Sequence, residues 1–279
     1  MDTLKLTSLK LTWLNGGINH LDGGAMFGVV PKALWERKYP CNDKNQIPLR
    51  TDPILIRMDG INFLVDAGIG NGKLTEKQKR IFGAIEESKI EESLKAHGLS
   101  TNDIDYILMT HMHFDHACGL TKLENGKHFS VFPEAKIIVN KIEWNEMRQP
   151  NIRSKSTYWR ENWEAIQDQV EVFNKEWTFG KIKLVHTGGH SDGHSIIVIE
   201  DGKDTVIHMA DIMATHAHQN VLWVMAYDDY PMNSIEAKQK WLKYGLDKQA
   251  WFTFYHDCFH RAIKWDHEGR VIDTIERKE

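Results

Sequence analysis

Short runs with an apolar residue at every second position dominate the first part of the chain. LKLTSLKLTWL (4–14) alternates in this way and reads as a strand. PILIRMDGINFLVDAG (53–68) holds two β-rich runs on either side of Asp59-Gly60, a pair that favours a two-residue hairpin turn. Helical spacing takes over around 77–97, with an interruption near Ser88. DYILMTH (105–111) is a short apolar strand, AKIIVNKIEWNEMR (135–148) a strand followed by a helix, and the Trp-rich polar stretch 149–169 helical in part. TFGKIKLVHTGGH (178–190) is a hairpin arm ending in a Gly-rich turn, and SIIVIEDGKDTVIHMAD (195–211) a second hairpin around Asp201-Gly202. NSIEAKQKWLKYGLD (233–247) is a helix with Asn233 or Ser234 as its N-cap. AWFTFYHD (250–257) is a strand and AIKWDHEGRVIDTI (262–275) a last hairpin.

This order suits two sheets packed together with helices outside, forming one domain over residues 1–279. Four chemically useful residues fall just after apolar strands: His111, His190, Asp211 and His256. Strand ends are where rigid scaffolds usually carry chemistry.

Charge narrows the classes. The net charge is −4, and the longest charge-rich stretch (77–98) mixes both signs, so no basic face offers itself to nucleic acid. The N-terminal run lacks a basic segment followed by a continuous apolar one, and no apolar run approaches the ~20 residues that cross a bilayer. The three cysteines, Cys41, Cys118 and Cys258, have no framework spacing and fit a reducing compartment. A cytoplasmic protein without membrane partners is therefore expected.

Histidine changes the picture most. Of 15 His, twelve lie between 111 and 260. THMHFDHACGL (110–120) crowds His111, His113, Asp115 and His116 into six positions. In an extended run His111, His113 and Asp115 face one side, and a turn is needed to bring His116 to join them. Imidazole and carboxylate are ligands that a zinc-type ion takes. One mononuclear site rarely needs four ligands from six residues, whereas two ions do. The strand-end residues complete a set of seven. His111, His113 and His190 serve one ion, with His194 a competing choice; Asp115, His116 and His256 serve the other; Asp211 lies between. Two such ions ~3.5–4 Å apart generate a hydroxide near neutral pH and polarise a carbonyl or phosphoryl oxygen.

These residues resemble the metallo-β-lactamase superfamily. Residues 111–116 match its HxHxDH motif in full, and His190, Asp211 and His256 match the downstream His, Asp and His in order. FLVDAG (63–68) is similar to its early strand-ending Asp motif at Asp66, which implies that Asp66 buttresses a ligand histidine. The resemblance implies an αββα sandwich with a centre of two Zn²⁺ between the sheets. LDGGAMFGVVPKALWERKYP (21–40) and DIMATHAHQNVLWVMAYDDYPM (211–232) are similar to the YtnP-type quorum-quenching lactonases, and to methyl parathion hydrolase-type enzymes. Asp211 stands where dizinc β-lactamases of the best-known subclass carry Cys, which speaks against β-lactam hydrolysis.

The implied activity is ring opening of lactones, expected to be N-acyl homoserine lactones. A metal-bridging hydroxide attacks the carbonyl, and Asp115 and Asp211 are the catalytic carboxylates. A phosphotriesterase is the alternative within the superfamily, and a non-catalytic metal-binding sensor the alternative outside it. The partner is a small molecule, with homodimerisation allowed. Phe114, Met26, Phe27, Trp223, Met225 and Tyr227 are expected to line an apolar entrance, Phe114 nearest the substrate. Two departures stand out. TGGH, with Gly188, replaces the more common TPGH. Ala214 occupies the position of a Tyr that holds the lactone carbonyl in one branch, leaving Tyr227, His216 or His218 as substitutes. Cys118 and Cys258 read as small buried residues, and His194 and His208 as structural.

Overall fold

The alternation expected of the strands separates three packing layers. In the computed structural model, which describes residues 2–278, two seven-stranded sheets stack face to face. The first uses only the N-terminal part of the chain, in the order Thr3–Lys5, Lys10–Trp13, Ile54–Met58, Ile61–Val65, Tyr106–Leu108, Lys136–Asn140 and Val170–Phe173. The second uses only the C-terminal part: Glu176–Phe179, Ile182–His186, Ser195–Asp201, Asp204–His208, Trp251–Thr253, His260–Trp265 and Val271–Glu276. Ile54, Ile56, Phe63, Val65, Leu108 and Ile138 point inward to meet Ile182, Leu184, Ile197, Ile199 and Val206 between the sheets. Their neighbours Leu55, Leu64, Ile107, Ile137 and Val139 point outward under Ile90, Leu94, Trp144 and Met147. On the far side, Ile196, Val198 and Ile207 are covered by Ala237 and Leu242 of the helix Pro231–Asp247. The result is a four-layer αββα sandwich, as expected.

Local departures have local causes. The first alternating run is a hairpin, Thr3–Lys5 against Lys10–Trp13. The β-rich first third also contains the short helices Gly23–Phe27 and Lys32–Trp35. The helical stretch near 77–97 splits into Glu76–Ile81, opened by a Thr75/Gln78 capping box, and Ile90–Lys95. It breaks early because Gly83 adopts φ +55, and a Cβ there would lie 2.7 Å from the His20 carbonyl. The last helix starts at Pro231, with Asn233 and Ser234 inside its first turn and Tyr230 at the cap, without a side-chain hydrogen bond. Proline at the start of a helix replaces the expected polar cap.

Candidate metal centre

The short strand Tyr106–Leu108 delivers the motif to the edge of the inter-sheet cleft. His111 and His113 extend beyond it, and the chain then turns into one helical turn, Phe114–Ala117. Asp115 therefore leaves the expected alternation, and Asp115 and His116 project together from that turn. The second sheet supplies the rest. His190 follows the Gly188-Gly189 turn after Ile182–His186, Asp211 follows Asp204–His208, and His256 follows Trp251–Thr253.

Three groups of ligand atoms lie within 4.8 Å of one another: His111–His113–His190, His111–His116–Asp211 and Asp115–His116–His256. Asp211 divides its carboxylate between them. Its Oδ2 lies 3.5 Å from His190 Nε2, and its Oδ1 lies 3.3 Å from His116 Nε2 and 3.2 Å from His256 Nε2.

Hydrogen bonds behind the rings decide what the front atoms are. His116 Nδ1 donates to Asp66 Oδ2 at 2.9 Å, His256 Nδ1 to the Arg50 carbonyl at 2.7 Å, and His190 Nδ1 to Asp228 Oδ1 at 2.9 Å. Thr110 Oγ1 gives its proton to Asp66 Oδ2 and so accepts from His111 Nδ1 at 3.1 Å. With Nδ1 engaged behind it, each of these rings turns its Nε2 inward, where a metal ion, or a proton in its absence, is held. His116 and His256 Nε2 stand 3.1 Å apart, two acceptors facing each other. His111 Nε2 and Asp211 Oδ1 are buried without a hydrogen-bond partner. A bound cation reconciles these atoms, and the donor set of imidazoles and carboxylates fits zinc-type ions.

The electrostatics agree. Burial holds His111 and His113 well below the usual histidine range, so both offer lone pairs at neutral pH. Burial also opposes charge on His116, His190 and His256, yet Asp211 leads the interactions that outweigh it and raise all three. Asp211 is itself held well below the usual carboxylate range against its burial, by His256, His116 and His190. Asp66, Asp115, Asp211 and Asp228 are buried, and among the described residues their salt-bridge partners are histidines only, with no Lys or Arg. A field that pulls protons onto histidine pulls in metal cations, which displace those protons on binding.

Backbone strain sits beside the ligands. Ala210 has φ +45, and the amide of Asp211 after it donates to His194 Nε2 at 3.3 Å. His194, the competing ligand, is thereby used as a support. His208 Nδ1 is directed at the backbone and hydroxyl of Thr253. Gly188 has φ +63, which proline cannot adopt, so the TGGH turn runs differently from a TPGH one. At Gly189 a Cβ would lie 2.6 Å from Ser234 Oγ, at the start of the last helix.

The centre opens into a cavity of about 1010 Å³. Met26, Phe114, Met225 and Tyr227 are on its wall, with Leu21, Leu49, Phe82 and Trp159. Phe114 packs against Phe82 and Trp159, with ring centroids 4.1 and 5.0 Å away. Phe27 and Trp223 are corrections to the expected lining. Phe27 is fully buried behind the wall, stacked on Trp35 at 4.9 Å and His218 at 4.6 Å, and Trp223 meets its edge at 6.0 Å. Of the substitutes for the missing Tyr, His218 accepts from Thr215 and donates to the Met26 carbonyl, and His216 is bound to Asp257. Tyr227 alone of the three reaches the cavity.

Sequence reasoning misses Asp228, Glu143, Arg153 and Trp159. Asp228 stands 38 residues from His190, and no spacing rule connects them. Arg153 bonds Asp229 at 2.5 Å and also the Ala226 carbonyl, tying two walls of the cavity together.

Comparison with known proteins follows the same lines. The family model described as the metallo-beta-lactamase superfamily matches residues 47–256. An N-acyl homoserine lactonase of Bacillus thuringiensis subsp. kurstaki is 31% identical over 192 residues, covering 68% of this chain and 70% of that one. A crystal structure of a probable metal-dependent hydrolase from Staphylococcus aureus is 48% identical with a TM-score of 0.96, covering 99% of both chains. AidC, a dizinc quorum-quenching lactonase solved with a product, shares the fold at a TM-score of 0.80 and 19% identity, covering 100% of this chain and 97% of that one.

Proposed function

The chain belongs to the metallo-beta-lactamase superfamily and is a metal-dependent hydrolase; from that premise we propose that it holds two zinc-type ions and opens the ring of N-acyl homoserine lactones. The observation that carries this reading is the division of Asp211 between two sets of inward lone pairs. His111, His113 and His190 would hold one ion, and Asp115, His116 and His256 the other. When bound, two such ions supply Lewis acidity toward a carbonyl oxygen and lower the pKa of water.

The chain's own groups do the rest. The Asp211 carboxylate, beside both sets of lone pairs, shuttles the proton of the attacking water to the ring oxygen as that oxygen leaves. Asp115, on the cavity wall, orients the attack. Tyr227 donates its hydroxyl to the carbonyl in place of the residue replaced by Ala214. The apolar wall around Phe114 receives the acyl chain. Relatives at 30–31% identity that act as N-acyl homoserine lactonases support the choice of substrate.

The test is metal analysis by mass spectrometry combined with hydrolysis of short- and long-chain acyl homoserine lactones, with an aryl phosphotriester alongside. Two ions per chain and preferential ring opening are expected. Protein with both ions that leaves every lactone intact refutes the substrate, and faster phosphotriester cleavage points to the other hydrolase class. His116→Ala is expected to abolish turnover with the fold largely kept, whereas unfolding would mark a structural metal.

A further inference from the structure

Glu143 is fully buried and forms no salt bridge among the described residues, yet three separate segments bond to it. Its Oε1 accepts from the Met112 amide at 2.7 Å and from the Tyr158 hydroxyl at 2.9 Å. Its Oε2 accepts from Ser191 Oγ at 2.6 Å. Each donor adjoins a ligand of one ion. Met112 lies between His111 and His113. Ser191 follows His190. The Tyr158 ring lies against His113, with centroids 5.0 Å apart. The three segments come from both sheets and from the 149–169 stretch.

The helix carrying Glu143, Lys141–Arg148, is pressed directly onto the His190 loop. A Cβ on Gly193 would lie 2.1 Å from the Glu143 amide nitrogen, so only glycine allows this approach. The Asp192 amide adds a contact of 3.3 Å to Glu146. Burying a carboxylate among neutral donors costs stability, and an apolar side chain of similar volume would fill the space without that cost. What the apolar side chain cannot do is fix three donors at hydrogen-bond distance at once.

We propose that Glu143 is a positioning residue that sets the spacing of His111, His113 and His190 and thereby the affinity of one ion of the pair. The other ion, at Asp115, His116 and His256, is backed by Asp66, which also reaches His111 through Thr110, and by the Arg50 carbonyl, and has no contact to Glu143. The inference rests on the two-ion reading above.

The experiment titrates metal-free protein with Zn²⁺ against a chromogenic chelator, resolving two dissociation constants, while circular dichroism monitors the fold. Glu143→Ala is expected to weaken one constant by about 10- to 100-fold and to move the other by less than about threefold. Glu143→Gln keeps the shape; its amide oxygen serves Met112 and Tyr158, and its NH₂ donates to Ser191 Oγ. It is expected to restore both constants to within about threefold. Adding Glu143→Ala to His190→Ala, which has already lost that ion, is expected to leave the remaining constant unchanged. Should Glu143→Ala fail to fold, Ser191→Ala and Tyr158→Phe each cut one bond and are expected to weaken the same ion by smaller factors. Equal weakening of both ions, or of neither, overturns the proposal. Wild-type protein that takes up fewer than two ions overturns the two-ion reading instead.

Discussion

Replacing Asp66 by Asn changes one oxygen to NH₂ and tests how the centre is held. Asp66 sits at φ +55, a conformation Asn tolerates as well as Asp, so the substitution leaves the backbone unstrained. The carboxylate accepts three donors: the Thr110 amide at 2.8 Å, Thr110 Oγ1 at 2.8 Å and His116 Nδ1 at 2.9 Å. An amide set in the same place must turn its NH₂ toward at least one of them. The least costly relief is for His116 to move its proton from Nδ1 to Nε2, where it meets Asp211 Oδ1 and His256 Nε2. Metal-free protein then loses little, because a new internal bond replaces the old one. Metal-bound protein loses a ligand lone pair. A weakening of about 10- to 100-fold amounts to about 1.4–2.7 kcal/mol. Ligand stabilisation scales as RT ln(1 + [L]/Kd), so the rise in melting temperature on adding Zn²⁺ should shrink by about 3–10 °C for a chain of this size. Differential scanning fluorimetry of metal-free and Zn²⁺-loaded protein measures both states. An Asp66→Asn variant whose Zn²⁺-induced rise equals that of wild type, with two ions bound, refutes the tautomer argument.

Tyr227→Phe should keep both ions and lower kcat on lactones by about 10²-fold; unchanged kcat removes Tyr227 from the carbonyl contact. Burial, with Lys238 beside it, holds His218 down to about 4. The unfolded chain therefore binds the proton first, and stability is lost as pH falls from about 6.5 to about 4, by roughly 3 kcal/mol from this residue. Denaturant titrations across that range should show a flatter pH dependence for His218→Gln, and an unchanged slope discounts the residue. Gly188→Pro, which restores the commoner TPGH spelling, should destabilise by more than about 1 kcal/mol because φ +63 is closed to proline. A stabilised variant in chemical denaturation would show that the turn can rearrange.

The seven candidate ligands were legible in the sequence because their chemistry is rare at that density and each follows an apolar strand. The sandwich was legible because the strands alternate cleanly between two cores. The supports were not. Asp228 reaches His190, and Glu143 reaches Met112 and Ser191, across distances in sequence that no periodicity encodes. The lining failed where an apolar residue near a motif faces inward for packing: Phe27 belongs to the stack of Trp35 and His218, not to the cavity. The interruption of 77–97 near Ser88 was legible, but its early start followed from a single close approach, Gly83 against His20, that helical spacing does not register.

The division of the chain between the sheets also orders its biosynthesis. Residues up to 173 build one sheet, and residues from 176 onward build the other. His111, His113, Asp115 and His116 emerge early as an incomplete claw. The first trio closes only when His190 arrives, and the second only after His256 has been added. On the two-ion reading proposed above, neither ligand set is complete until the second sheet has been made, which places metal loading after the two halves have met.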